Sequence, residues 1–156
     1  MKYSLFALIL TLFVSCVSHE IDNDNFVPID YTEKNEAEIL KYLADNNLTA
    51  QKTATGLYYI ITEPGTGKQP KATSSVTVAY KGYYTTKIGF DQSPDAGTTF
   101  GLQQVIQGWT EGIPLFKEGG SGVLIVPARL GYGSFAYRGI PGGSVLVFDI
   151  KLISVN

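Results

Sequence analysis

The sequence predicts an α+β domain in which a mainly antiparallel β-sheet carries one short helix, with a separate amphipathic helix before it. Three observations indicate this class. Strand-like apolar runs alternate with Gly and Pro along most of the chain, one segment among them is too interrupted to be a strand, and a helical pattern precedes them all. The composition agrees, because 17 Gly, 10 Tyr and 8 Phe in 156 residues favour strands joined by tight turns.

The first segment, residues 1–15, has the pattern of a signal peptide. Lys2 is followed by the run Leu5–Val14, which is apolar except for one threonine. This run is far shorter than the roughly 20 residues that a membrane-spanning helix needs. The segment is therefore predicted to direct export rather than to span a membrane.

Cys16 follows Ser15 and is the only cysteine of the chain. The arrangement resembles a bacterial lipoprotein signal, in which a cysteine after a small residue is lipidated and becomes the mature N-terminus. Phe13 stands where such signals usually have Leu. Cys16 is thus predicted to anchor the protein to a membrane of the bacterial cell envelope, either periplasmic or surface-facing. The alternative is an ordinary secretory leader with an unmodified cysteine.

A tether and a helical extension are predicted next. Residues 16–30 are polar without a sustained period, which is typical of a flexible tether. The extension, residues 31–54, contains a helical pattern at residues 32–46, preceded by the capping candidates Asp30 and Thr32. Its apolar side consists of Ile39, Leu40, Leu43 and Ala44. This side is predicted to dock on the chain's own domain or, alternatively, to form a homodimer through residues 32–46.

The main domain is predicted to span residues 55–156. Its strands are the runs GLYYIIT, SSVTVAYKGYY, GSGVLIVP and SVLVFDIKLISV. In the last run Asp149 and Lys151 alternate with residues that share the other face: Leu146, Phe148, Ile150 and Leu152. One face of the sheet is therefore predicted to meet a core and the other to meet water. By the same alternation, one of Tyr83 and Tyr84 is predicted to pack inside and the other to face solvent.

The segment VIQGWTEGIPLF, residues 105–116, lies between these strands. Its glycines and proline interrupt the apolar residues too often for a strand. It is predicted to form one short helix that crosses the apolar face of the sheet.

The available residues exclude several kinds of chemistry. Lys and Arg number 12 against 14 acidic residues with no basic run, so no nucleic-acid partner is predicted. His19, the only histidine, lies in the tether, so neither a serine–histidine site nor a metal site is indicated. The stretch GTGK, residues 65–68, lacks the remaining positions of a phosphate-binding loop and is interpreted as a turn. No cofactor or metal is predicted.

A set of mostly apolar and aromatic residues remains, spread over the predicted sheet: Tyr80, Phe90, Asp91, Phe100, Val105, Ile106, Trp109, Tyr132 and Phe148. Singly, each is better explained as core. Together they lie in motifs that resemble, in order and spacing, an FKBP-type peptidyl-prolyl cis-trans isomerase: VAYKGYY, GFDQS, TTFGL, QVIQGWTEGIPLFKEGG, LIVPARLGYG and GIPGGSVLVFDIKLI. The resemblance covers residues 55–156.

The resemblance implies a twisted antiparallel sheet wrapped on a short helix, with a shallow apolar pocket between them. Trp109 would form the pocket floor beneath a substrate proline. Val105 and Ile106 would line the edge, with the Ile106 N–H donating to a substrate carbonyl. The walls would be four aromatic rings: Tyr80, Phe90, Phe100 and Phe148.

Three further positions carry implied roles at the pocket. Asp91 would be the carboxylate beside it, and the Tyr132 hydroxyl would reach the bound ligand. Ile140 would contribute an apolar side chain from the loop SFAYRGIPGG above the pocket. That loop varies across the family, so the resemblance implies no particular substrate preference there.

The implied activity is peptidyl-prolyl isomerisation of exported, proline-containing polypeptides. Rotating an X-Pro bond breaks no covalent bond but must overcome a barrier of roughly 18–20 kcal/mol, so it requires no nucleophile. An apolar pocket favours the twisted amide because twisting reduces its dipolar character. Asp91 would orient or polarise the amide rather than shuttle a proton. The alternative is a non-catalytic chaperone or binding module that uses the same pocket without turnover.

Overall fold

The computed structural model describes residues 28–156, so the predicted signal peptide, Cys16 and His19 lie outside the described part. Its helices and longer strands follow in chain order: α1 (Thr32–Asp45), β1 (Gln51–Lys52), β2 (Tyr58–Glu63), β3 (Ser75–Tyr84), β4 (Gly89–Gln92), β5 (Thr98–Gly101), α2 (Gln107–Gly112), β6 (Ser121–Val126) and β7 (Leu146–Val155). Short 3-10 helices occupy Ile113–Leu115 and Ala128–Leu130. Among residues 28–156, no helix has the length and apolar character needed to cross a membrane.

The strands form one antiparallel sheet in the order β1-β2-β6-β7-β3-β4. β5 pairs with the first half of β3 and β4 with the second half. In β7, Asp149 and Lys151 are exposed and alternate with buried residues: Leu146, Phe148, Ile150 and Leu152. The alternation predicted for this strand is confirmed.

The predicted short helix is present as α2 and is followed by a 3-10 turn. Both pack on the face of the sheet that carries the buried side chains of β7 listed above. Two glycines allow α2 to lie close to the strands. A Cβ on Gly108 would lie 2.6 Å from Val126 Cγ1, and one on Gly112 would lie 2.7 Å from Leu124 Cδ1. The helix is thereby held directly against β6, and the main core fills the space around it.

α1 covers part of the opposite face of the sheet, so the prediction that this face meets water holds at Asp149 and Lys151 but is wrong beneath the helix. A second apolar cluster joins the helix to β2, β6 and β7: Ile39, Tyr42, Leu43, Tyr58, Ile125, Val145 and Val147. Ile125 and Val147 are fully buried there. The strands are apolar on both faces at these positions, because each face packs against a helix.

The composition of the buried side of α1 differs from the prediction. Ile39 and Leu43 are buried as expected, but Leu40 is 51% exposed and Ala44 is exposed. Asn35 and Tyr42 lie on the buried side of the helix instead. At its start, the Thr32 N–H donates to the Asp30 carboxylate at 2.8 Å, which satisfies a free N–H of the first turn.

Tyr83 and Tyr84 point to opposite faces, and both are half-buried. Tyr84 packs on Phe90 with ring centroids 5.1 Å apart, whereas the Tyr83 hydroxyl donates to Asp149 at 3.0 Å beneath α1. Burial, together with hydrogen bonding to the Tyr42 hydroxyl, raises the pKa of Tyr83 above its usual value. The expectation that one of the pair faces solvent is wrong, since α1 covers that side.

Candidate functional site

A pocket of about 830 Å³ opens between α2, the buried face of the sheet and the loop after β6. Every pocket residue implied by the family resemblance lies around it: Tyr80, Phe90, Asp91, Phe100, Val105, Ile106, Trp109, Tyr132, Ile140 and Phe148. These residues come from β3, β4, β5, α2, β7 and two loops. The fold therefore brings together positions that are as much as 68 residues apart in sequence, from Tyr80 to Phe148.

Trp109 lies at the bottom of this pocket and is only 4% exposed. Three aromatic rings contact it nearly edge-on, with centroid distances of 5.0 Å to Tyr80, 5.5 Å to Phe100 and 5.3 Å to Phe148. Edge-to-face contacts of this kind are the favoured geometry of aromatic pairs. Within the described residues, the buried indole Nε1 has no hydrogen-bond partner. The indole is thus fixed by its neighbours' rings rather than by a polar contact.

The wall formed by Phe90 and Phe148 depends on a glycine behind it. The two rings meet perpendicularly at 5.6 Å. Gly82 on β3 pairs with Asp91 on β4 and with Phe148 on β7. A Cβ at Gly82 would lie 2.8 Å from the Phe90 ring and 3.0 Å from that of Phe148. The missing side chain therefore provides the space that these rings occupy.

The polar edge of the pocket is a hydrogen-bonded pair. The Tyr80 hydroxyl donates to Asp91 Oδ2 at 2.7 Å. Burial raises the pKa of Tyr80, and the bond to the Asp91 carboxylate raises it further, so the phenol stays protonated and remains a donor at neutral pH. This donor fixes the orientation of an exposed carboxylate at the pocket mouth.

Tyr132 lies on the opposite side, in the loop after β6, and is 37% exposed. Its ring stacks on Tyr137 with centroids 5.1 Å apart, and the Arg138 guanidinium lies 5.4 Å from the Tyr137 ring. Burial, followed by the negative charge of Asp91, raises the pKa of Tyr132. Its hydroxyl is therefore also a hydrogen-bond donor at neutral pH.

Ile106 immediately precedes α2 and has extended backbone angles, φ −60° and ψ 149°. Its carbonyl accepts from the N–H groups of Trp109 and Thr110 at 2.9 and 3.2 Å. None of the hydrogen bonds found within residues 28–156 uses the Ile106 N–H. This N–H is thus available to a ligand carbonyl, in agreement with the role that the resemblance implies for it.

Five further lining residues were not predicted: Tyr84, Gln104, Tyr137, Arg138 and Gly139. Tyr84 could have been found, because it is two residues from Gly82 and four from Tyr80 along one strand, and therefore shares their face. Tyr137 reaches the pocket through a bridge to Ile140 in an irregular loop. No local sequence pattern predicts that geometry. Within residues 28–156, no three His, Cys, Asp or Glu side chains are grouped closely enough to hold a metal ion.

The sequence profile of the FKBP-type peptidyl-prolyl cis-trans isomerases matches residues 66–153. The chain belongs to this family. Its antiparallel sheet with a short helix is the FKBP-like fold, as predicted. A crystal structure of FkpA from Escherichia coli superimposes with a TM-score of 0.72 at 38% identity, covering 80% of this chain and 60% of that one. A peptidyl-prolyl cis-trans isomerase from Pseudomonas syringae pv. tomato gives 0.69 at 30% identity, covering 83% and 98%.

Sequence relatives of this FKBP-type chain include two proteins named FkpA. That of Aeromonas hydrophila is 40% identical over 127 residues, which are 79% of this chain and 47% of the relative. That of Escherichia coli strain K12 is 43% identical over 106 residues, which are 67% of this chain and 39% of the relative. The chain thus spans less than half the length of these relatives.

Proposed function

We propose that this chain is a peptidyl-prolyl cis-trans isomerase that acts on proline-containing polypeptides. The observation that carries the proposal is the pocket: the aromatic floor and walls, the Tyr80–Asp91 pair and the available Ile106 N–H surround one cavity. Family membership supports the same activity. The proposed domain for this function is residues 55–156, with residues 31–54 as an N-terminal extension.

The mechanism proposed for the pocket uses binding rather than covalent chemistry. The substrate proline would lie on Trp109 between the aromatic walls, and the Ile106 N–H would hold a neighbouring carbonyl. Transfer of the X-Pro amide into apolar surroundings favours its twisted, less dipolar form. The Tyr80 hydroxyl orients Asp91, and the Asp91 carboxylate at the pocket mouth would orient or polarise the amide. Each kcal/mol of preference for the twisted form speeds rotation about fivefold.

Isomerase activity is tested by a protease-coupled assay on a proline tetrapeptide. We expect Asp91→Ala to lower kcat/KM about tenfold, since among residues 28–156 Asp91 supplies the one carboxylate that lines the pocket, and losing a charge-assisted contact of about 1.5 kcal/mol corresponds to that factor. Tyr132→Phe should lower it about threefold to tenfold, because one hydrogen bond to the ligand is lost. The matched controls are Asp95→Ala and Tyr59→Phe, whose side chains lie outside the pocket. Unchanged rates in both pocket variants would refute the assignment of these residues.

The non-catalytic chaperone or binding module is the second candidate. One observation favours it: two aromatic side chains of the loop at the pocket are exposed, Phe135 at 48% and Tyr137, which also lines the pocket, at 46%. An aggregation-suppression assay on the same preparations separates the two functions. Suppression of aggregation without acceleration of isomerisation would reverse our preference.

We further propose that Cys16 is lipidated and anchors the domain in the bacterial cell envelope, where exported chains are its substrates. Support comes from Lys2, the apolar run Leu5–Val14 and the small residue before the cysteine. In a bacterial host, the protein should incorporate labelled fatty acid and sediment with membranes, and Cys16→Ser should abolish both. Labelling that survives the substitution would exclude this anchor; unlabelled protein in the soluble fraction would favour the ordinary secretory leader.

A homodimer through residues 32–46 is the less favoured arrangement. The apolar stripe of α1, including Ile39 and Leu43, is buried against its own domain and is not available to a second copy. A dimer would have to use the outer side of the helix around Leu40. We therefore propose that α1 serves its own domain. Light scattering of the purified protein should give a monomer mass.

A further inference from the structure

Asn35, in the first turn of α1, is a polar side chain that is only 1% exposed. Its Nδ2 donates to the Gly143 carbonyl at 2.8 Å, and its Oδ1 accepts from the Ala128 N–H at 2.8 Å. The amide group is suited to this position because it supplies a donor and an acceptor side by side. Its partners are 93 and 108 residues away along the chain. Asn35 thus joins the N-terminal extension to two distant backbone points.

These two points enclose the loop that covers the pocket. We define residues 131–143 as the pocket loop; Ala128 lies just before it and Gly143 ends it. The loop supplies a group of lining residues: Tyr132, Tyr137, Arg138, Gly139 and Ile140. A single side chain of α1 therefore contacts both ends of the segment that forms one side of the candidate site.

Two other contacts connect the extension to the same loop. The Ser134 hydroxyl donates to the Ile29 carbonyl at 2.6 Å. The Tyr31 ring packs directly on Gly143, where a Cβ would overlap the ring and where φ is +76°. Ile29, Tyr31 and Asn35 together form a continuous contact along the base of the loop.

The pocket loop has little burial of its own to hold it in place. Phe135 and Tyr137 are about half exposed, and Ile140 is the large apolar side chain that it buries. Segments with few buried apolar contacts open more readily than the core around them. Hydrogen bonds that hold the ends of such a loop therefore strongly affect the fraction of molecules in which the loop forms its side of the pocket.

We propose that Asn35 is a positioning residue for the candidate site, through which the N-terminal extension holds the pocket loop in the arrangement that binds substrate. This inference rests on the proposed isomerase function. When only a fraction of molecules has a formed pocket, the apparent affinity for substrate is the intrinsic affinity multiplied by that fraction. Trp109, Tyr80 and Asp91 belong to α2 and the sheet and not to the loop, so turnover of bound substrate is retained. The signature is a higher KM with little change in kcat.

The test uses the purified full chain, a proline tetrapeptide and the substitution Asn35→Leu, which keeps the branching of the side chain at Cγ and removes both hydrogen bonds. We expect KM to rise at least about tenfold, because two buried hydrogen bonds are lost and the loss of one already accounts for about that factor, with kcat within about twofold. Ile39→Val is the matched control: it weakens the packing of the same helix but leaves the contacts to the loop intact. Its KM should equal that of the unsubstituted chain.

A second measurement does not depend on activity. In Asn35→Leu, amide hydrogen exchange should accelerate about tenfold at Tyr137, Ile140 and Gly143, whose N–H groups bond within the loop, and stay unchanged in β7. If Asn35→Leu does not fold, Ser134→Ala removes an exposed attachment of the same loop and should raise KM about twofold to threefold.

Several outcomes would overturn the inference. One is a folded Asn35→Leu protein with unchanged KM and unchanged loop exchange; another is an equal rise of KM in Ile39→Val. If the unsubstituted chain shows no isomerase activity, the proposed function fails. Hydrogen exchange then decides alone whether Asn35 positions the loop: acceleration confined to the loop supports it, and its absence contradicts it.

Discussion

Replacing Trp109 by alanine should lower the free energy of unfolding by about 3–5 kcal/mol, the range for removing a buried aromatic side chain. The indole is 4% exposed and is held between the rings of Tyr80, Phe100 and Phe148. These rings cannot collapse into the space that it leaves, because each is fixed by its own strand. Circular dichroism during urea unfolding measures the loss.

The same substitution should lower kcat/KM by at least about thirtyfold. It removes the surface on which the substrate proline would lie, and about 2 kcal/mol of apolar contact corresponds to that factor. Phe116→Ala is the matched control, since Phe116 is fully buried in the same core but does not line the pocket. It should lose similar stability and keep the activity of its folded fraction. Equal activity losses in the two variants would contradict the role of Trp109 as pocket floor.

Replacing Gly108 by alanine should lower the free energy of unfolding by up to about 2 kcal/mol. The added methyl would lie 2.6 Å from Val126 Cγ1 and 3.0 Å from its Cγ2, and a β-branched side chain cannot rotate away easily. Overpacking of this kind costs about 1–3 kcal/mol, of which the better helix propensity of alanine recovers about 1 kcal/mol. Urea unfolding gives the difference in stability.

Activity should fall with Gly108→Ala as well, because α2 must move off β6 and the next residue of the helix is Trp109. Gly89→Ala is the control. Gly89 also lies next to a pocket residue, but the nearest atom to its added Cβ, the Gly82 carbonyl oxygen, is an ordinary 3.9 Å away. It should change stability by less than about 0.5 kcal/mol. A Gly108→Ala protein as stable and as active as the unsubstituted chain would show that α2 has room above the sheet.

Sequence reasoning succeeded where local pattern and chain order carry the information. The alternation of β7 between Phe148 and Leu152 follows from strand geometry. The pocket positions were available because the motifs around Phe90, Trp109 and Tyr132 occur in the order of the FKBP family. Such motifs encode a three-dimensional arrangement that no periodicity within a single element reveals.

The prediction failed where a contact depends on the docking of distant segments. Asn35 has the local pattern of an exposed helical residue, because nothing near it in sequence indicates partners at Ala128 and Gly143. Leu40 belongs to the apolar side of the helical pattern but is exposed, because apolar character alone does not settle the rotation of a helix. Tyr83 appeared free to face solvent until α1 was placed over its strand.

The surroundings of Trp109 have a practical consequence, because this residue is the chain's single tryptophan. Its emission reports on one place in the protein, and that place is the bottom of the candidate pocket. A proline peptide that packs on the indole should change the intensity and wavelength of this fluorescence. The chain therefore contains an intrinsic fluorescent probe of ligand binding. An equilibrium titration that follows this fluorescence measures the occupied fraction of the pocket without an activity assay.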